Sequence, residues 1–391
     1  MKKVRLKKSF RRKNSYLWIF ANEIQDNLKS YEKGELVEIL TNDKRFYGIG
    51  YINPNSLIAI RLISHKIENI DKSFIENVLK KAYEFRKTIG YSDYDAYRLF
   101  YSEADGLPGL VIDKYKDFIC VSVLTAGVEH LKELIFDILI DMFNPKAILE
   151  RNDSAFRQLE GLESYNRVVY GEYEEMPVID EEGIKFEVDL LEGQKTGFFL
   201  DQRENRLFIR ELLRNRKIER ALDCFSYSGG WGLNISKSIS GETICVDSSK
   251  KAIELIKKNA QLNNLNVKAN EADVFNFLKD CYLRRERFDC IVLDPPAFIK
   301  SKAKLNEGIK GYKEINQRAM KLLNSKGILV TASCSYHMTK EIFLEVLRSA
   351  SADVGKMFRI IHTGFQAKDH PVLLSMPETE YLKTIFLERT D

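Results

Sequence analysis

Apolar spacing changes twice along the 391 residues, and each change predicts a different kind of layer. Up to about residue 68, a helical signal at residues 22–30 is followed by β-rich runs at residues 35–41, 45–52 and 57–63. Tyr31-Glu-Lys-Gly34, Asn42-Asp43 and Asn53-Pro-Asn-Ser56 punctuate these runs as turns, which predicts a small β-barrel. Phe74, Val78, Leu79, Ala82 and Phe85 then recur at helical spacing, predicting a helix over residues 74–89. Two strands around Asp105-Gly-Leu-Pro-Gly109, a strand at 118–124, an amphipathic helix at 129–142 and a strand at 147–150 predict a compact α+β unit. A hairpin over 177–188, turning at Glu181-Glu-Gly183, leads into the last region. There, strand-like runs at 221–225, 242–246, 288–293 and 327–333 alternate with helical stretches such as 249–263, the pattern of a doubly wound parallel sheet in an α/β fold.

Composition narrows the class. The chain is long enough for two or three domains, and no apolar run reaches the length of a bilayer span. With 44% hydrophobic and 30% charged residues and no secretory-type start, the expectation is a soluble cytoplasmic protein without membrane contact. Six cysteines without a Cys-x-x-Cys pair, and only five histidines, argue against a disulfide framework and against a metal centre. Net charge is only +4, yet eight of the first thirteen residues are Lys or Arg, including Arg11 and Arg12, a density that attracts phosphates or forms a solvated end.

The candidate chemistry lies at strand ends. The run at 221–225 carries Asp223 and enters Phe225-Ser-Tyr-Ser-Gly-Gly230, a turn containing Tyr227 and Gly229 that lets backbone approach a ligand. The next strand ends at Asp247, placed to accept ribose hydroxyls, and Asp273 follows where an adenine amine would lie. Each acid taken singly could be a helix N-cap, whereas three in register on successive strands point to a bound nucleoside. The turn lacks Gly-x-Gly-x-x-Gly, so a cofactor without a pyrophosphate fits better, and S-adenosylmethionine is such a cofactor.

Asp294-Pro-Pro-Ala-Phe298 ends another strand. Pro295 and Pro296 stop it rigidly and leave carbonyls open, and Phe298 supplies a ring for a flat base. This motif fits methylation of an exocyclic amine, which needs no thiol. It also fits methylation of pyrimidine C5, which needs a thiolate to add at C6. Cys334 ends the run at 327–333 among hydrophilic neighbours, while Cys120, Cys224, Cys245 and Cys290 lie inside strands and read as packing residues. Position alone leaves Cys334 between a packing residue and a nucleophile.

These blocks, with Gln194-Lys-Thr-Gly-Phe-Phe-Leu-Asp-Gln-Arg203, Gly311-Tyr-Lys-Glu-Ile-Asn316, Met338-Thr339, Asp369-His-Pro-Val372 and Tyr381-Leu-Lys383, closely resemble the large-subunit ribosomal RNA cytosine-5 methyltransferases with an N-terminal PUA domain. The resemblance spans nearly the whole chain. It implies a PUA barrel over 1–70, a central α+β domain over 71–188 and a Rossmann-like class I methyltransferase domain over 189–391. It also implies Cys334 as nucleophile, Asp294 and Pro295 at the cytosine, the Phe225 turn with Asp247 and Asp273 at the cofactor, and the block from Thr196 to Gln202 closing over it. Ala297 and Phe298 stand where other cytosine-5 methyltransferases carry a second cysteine, so a different base or water must assist release. Lys300, Arg11 and Arg12 suit RNA phosphates, and the resemblance permits a homodimer. Two rival readings remain at this level: nitrogen methylation of a ribosomal RNA base such as guanine, and a non-catalytic RNA-binding assembly factor.

Overall fold

The computed structural model describes residues 1–8, 16–299 and 301–391, so Arg11, Arg12 and Lys300 lie outside the described residues. The chain forms two compact units: Met1–Ile179 with Val188–Phe198 and Lys368–Thr379, and Asp180–Glu187 with Phe199–Ala367 and Glu380–Asp391.

In the first unit, strands Lys2–Arg5, Trp18–Ile19, Glu35–Leu40, Phe46–Ile52 and Ile60–Ser64 form one sheet. Alternation buries Val37 and Ile39 against Val4, Ile19, Ile60 and Leu62. The expected helix at 22–30 is instead two 3₁₀ turns, Ala21–Glu23 and Leu28–Ser30. Between them Ile24 is extended and bridges to Leu6, and the Gln25 amide donates to the Arg5 carbonyl, so pairing with the first strand overrides local helix propensity.

A second sheet in the same unit orders Tyr165–Gly171, Ala147–Asn152, Phe118–Val123, Leu110–Tyr115 and Ala96–Tyr101, packed with helices Lys72–Thr88 and Ala126–Phe143. Sequence patterning missed Tyr165–Gly171, a largely exposed edge strand with no buried face to impose an apolar rhythm. Two distant segments join this unit through buried arginines. Arg151 donates to the carbonyls of Leu190 and Gly193, and Arg86 donates to the carbonyl of Asp369. The Asp369 carboxylate accepts from the Arg98 amide.

The second unit is built on seven strands: β1 (Arg220–Cys224), β2 (Glu242–Asp247), β3 (Val267–Glu271), β4 (Phe288–Leu293), β5 (Leu323–Ser333), β6 (Phe358–Gly364) and β7 (Lys383–Arg389). Their order is β3-β2-β1-β4-β5-β7-β6, with β1 to β5 parallel and β7 antiparallel to both neighbours. Along β4, Cys290 and Val292 face one core while Ile291 and Leu293 face the other. Burial on both faces explains the unbroken apolar runs that betrayed these strands. The flanking helices are α1 (Arg203–Leu213), α2 (Gly230–Ser236), α3 (Lys250–Leu262), α4 (Val274–Leu283), α5 (Leu305–Leu322) and α6 (Lys340–Val354). Strand order reverses between β1 and β4, which opens a crevice beyond their carboxyl ends. Among the described residues, no helix is long and apolar enough to cross a membrane.

Candidate active site

The floor of the crevice is the β1 turn. Phe225 and Tyr227 hold φ of 64° and 48°, and Gly229 holds 82°. Two non-glycine residues in the left-handed region within three positions are costly, and the hydrogen bonds around them sustain the shape. The Phe225 amide donates to the Val246 carbonyl at 2.9 Å. Ser226 Oγ donates to the Asp223 carbonyl at 2.8 Å and accepts from the Val246 amide at 3.0 Å, tying β1 to β2. Gly232 must be glycine, since a Cβ there would lie 2.3 Å from Cys245 Sγ and 3.1 Å from Asp223 Oδ2.

Asp223 is fully buried. Its Oδ2 accepts from the Gly232 amide at 2.9 Å, whereas Oδ1 has no hydrogen-bond partner among the described residues. Burial first, and the charges of Asp294 and Asp247 second, push its carboxyl up to about 8 against the pull of the Gly232 amide. A buried carboxyl with an unused oxygen suits a ligand that brings a cation, and S-adenosylmethionine carries both an ammonium and a sulfonium. Asp247, half-buried, accepts from the amides of Tyr227 at 3.0 Å and Ser249 at 2.9 Å, so its carboxylate is fixed at the mouth of β2. Asp273 is exposed and N-caps α4 by accepting from the Asn276 amide at 2.9 Å.

At the end of β4, Asp294 Oδ2 accepts from Gln202 Nε2 at 3.1 Å and from Trp231 Nε1 at 3.0 Å. Gln202 is oriented in turn: its Oε1 accepts from Asn205 Nδ2 at 2.7 Å and from Thr384 Oγ1 at 3.3 Å, which turns the amide nitrogen toward Asp294. The sequence gives no role to Trp231 or Asn205, although Trp231 follows the glycine-rich turn directly, in α2. Pro295 is buried and Pro296 exposed. The Phe298 ring packs on Tyr312 at 4.7 Å between centroids, with Phe275 at 6.1 Å. Thr196 belongs to the first unit, buried, with its hydroxyl donating to Asp113 and bonded to Tyr115 Oη at 3.0 Å.

β5 pairs with β4 in register Leu293↔Thr331, so Asp294 and Cys334 follow the carboxyl ends of neighbouring parallel strands. Of the six cysteines, Cys334 alone is partly exposed, and the other five are buried. Ser335 links the two strand ends. Its Oγ accepts from the Ile299 amide at 3.3 Å and shares a 3.0 Å hydrogen bond with Tyr312 Oη. Lys383, to which the sequence gives no role of its own, is buried at the start of β7, opposite Ser333.

Comparison with known proteins agrees with this architecture. Residues 3–65 match the PUA-like domain family, and residues 158–357 match a family described as S-adenosylmethionine-dependent methyltransferase. The chain is 40% identical over 372 residues to ribosomal RNA large subunit methyltransferase I of Aeromonas salmonicida (strain A449), covering 94% of this chain and 93% of that protein. It is 39% identical over 373 residues to the protein of the same name from Tolumonas auensis, with the same coverage. Among solved structures, a candidate SAM-dependent methyltransferase from Streptococcus mutans superposes with a TM-score of 0.83 at 22% identity over 99% of this chain and 100% of that one. SMU.776, a candidate methyltransferase solved with SAH, gives 0.84 at 21% identity with the same coverage. At these identities the two structures speak for the fold.

Proposed function

The chain belongs to the family of S-adenosylmethionine-dependent methyltransferases that includes ribosomal RNA large subunit methyltransferase I, and from that premise we propose that it forms 5-methylcytosine in large-subunit ribosomal RNA through a transient bond to Cys334. The observation that carries this reading is the exposure of Cys334, alone among six cysteines, next to an anchored carboxylate at the end of the adjoining strand.

When bound, S-adenosylmethionine supplies an electrophilic methyl group. The residues suited to hold it are Asp223, the Phe225 to Gly230 turn, Asp247 and Asp273. The Thr196 hydroxyl is engaged by Asp113 and Tyr115. In the proposed reaction, the Cys334 thiolate adds to C6 of cytosine, which makes C5 an electron-rich enamine carbon. Asp294, held by Gln202 and Trp231, accepts a hydrogen bond from the exocyclic amine and fixes the ring. Once C5 carries the methyl group, its proton passes to a base or water and the thiolate is expelled, restoring the aromatic ring. The target base must be unpaired or flipped out, at a cost of a few kcal/mol that contacts elsewhere on the RNA offset. The PUA-like domain is a natural source of such contacts.

Cys334→Ala is expected to lower 5-methylcytosine formation by at least about a thousandfold, the scale of removing a nucleophile. RNA substituted with 5-fluorocytosine is expected to trap the wild-type protein covalently, because fluorine cannot leave as the C5 proton does. Wild-type activity in Cys334→Ala would replace this reading with nitrogen methylation at the same acid-Pro-Pro loop. Absence of cofactor binding would instead favour an RNA-binding factor.

A further inference from the structure

Lys383 is a lysine where lysines are rarely found. It is only 4% exposed, at the first position of β7, and its Cα stands opposite Ser333, the last residue of β5. Its Nζ donates at 2.9 Å to the Ser335 carbonyl and at 2.9 Å to the Tyr381 carbonyl. The first of these carbonyls belongs to the residue after Cys334. Ser335 is itself held by the Ile299 amide and the Tyr312 hydroxyl, so the ammonium completes a clamp on the turn that carries the thiol. A buried ammonium has to be repaid by hydrogen bonds and by a nearby anion. Two neutral carbonyls satisfy hydrogen bonding without neutralising charge.

We propose that Lys383 is a positioning residue for Cys334: its ammonium pins the Cys334 turn through the Ser335 carbonyl and supplies the positive charge that favours the thiolate. The thiol proton passes to solvent and the ammonium keeps its own. The charges are coupled as this requires. Burial draws the Lys383 ammonium down to about 8, and a negative charge at Cys334, followed by Glu380, pulls it back up. Among the described residues, the titratable groups that share the Ser335 hydrogen bonds or the neighbouring strand end with Lys383 are acids. Tyr312, on α5, is shifted upward mainly by burial and stays neutral, and Asp294 ends β4 as an acid. His337, half-buried three residues beyond Cys334, is the remaining basic group on the turn itself. This assignment goes beyond the covalent reading and rests on it, because a thiolate matters only if Cys334 attacks the base.

The test is the pH dependence of Cys334 alkylation by iodoacetamide in the intact protein, followed by peptide mass spectrometry from about pH 6 to about pH 9.5. The five buried cysteines serve as internal controls. Removing an opposite charge raises a pKa by about one unit or more, so Lys383→Met is expected to slow alkylation about tenfold near pH 7 and move the ascending limb to higher pH. Lys383→Arg, which keeps the charge, is expected to stay near the wild-type profile. Lys383→Gln keeps a donor without the charge and covers the case in which the methionine variant fails to fold. A folded Gln or Met variant whose profile overlays wild type overturns the proposal, since a purely structural clamp would leave the thiol's ionisation unmoved. Alkylation reads the thiol directly. Full methylation by Cys334→Ala would therefore refute the covalent reading while leaving the Lys383 result to be judged separately.

Discussion

At the scale of single residues, the site is an arrangement of acids whose environments differ. Asp223 is buried with an unused oxygen, Asp247 is anchored by two amides, and Asp294 accepts from an amide nitrogen and an indole. With its carboxyl at about 8, Asp223 is protonated in the cofactor-free protein at neutral pH. In the unfolded chain it would ionise in the ordinary carboxylate range. Between those two values the unfolded state holds fewer protons than the folded one, so this group makes stability fall as pH rises and has no further effect above about 8. A cation bound beside Asp223 favours the ionised form. Cofactor binding near pH 7 is therefore expected to release a proton, and affinity to improve toward pH 8. Calorimetry in buffers of different ionisation enthalpy measures this directly. Asp223→Asn should abolish the release, and an unchanged proton count in that variant would show that the linked group lies elsewhere. The sequence displayed Asp247, Asp294 and Cys334 because each ends an apolar run, and Asp223 because it interrupts one just before its turn. It gave no role to Trp231, Asn205 or Ser335, whose importance comes from the partners that folding brings to them.

At the scale of elements, strand ends and helix starts share the work. Asp273 caps α4 and is also one of the acids proposed to hold the cofactor. The two roles separate by substitution, since serine caps about as well as aspartate but carries no charge. Asp273→Ser is expected to hold stability within about 0.5 kcal/mol while weakening cofactor binding about fivefold, the worth of one hydrogen bond of about 1 kcal/mol. Urea unfolding and titration calorimetry report the two effects independently. Undiminished affinity would reduce Asp273 to a cap. The same scale shows which elements can be read from sequence. β4 announces itself because both of its faces are buried. β3 reads Val-Lys-Ala-Asn-Glu, with no residue fully buried, and went unpredicted. The helical signal at 22–30 gave way because Ile24 and Gln25 pair with the first strand, a contact no local window contains.

At the scale of the whole molecule, the crevice exists because strand order reverses between β1 and β4, and Asp223, Asp247, Asp273, Asp294 and Cys334 all lie toward that end of the sheet. A ligand bound there stabilises the unit that holds it. At about a hundred times its dissociation constant, S-adenosylmethionine should add about 2.7 kcal/mol to the opening free energy of β1 and β4, as read by hydrogen exchange. Identical protection with and without it would mean that the crevice is not its site. By itself, the sequence determined the class of this protein: β-rich start, α+β middle, doubly wound sheet, acids at strand mouths and a thiol beyond the last apolar run. Those features follow from burial period and turn chemistry, which are local and therefore written in order along the chain. Only the tertiary structure decided that Arg86, Arg98 and Arg151 gather distant segments into the first unit, and that Gln202 turns its amide toward Asp294. It alone brought Lys383 under the Cys334 turn, because β7 returns antiparallel beside β5. Such pairings join residues far apart in the chain, and a hydrogen-bond partner or a buried charge is a property of that meeting rather than of either residue.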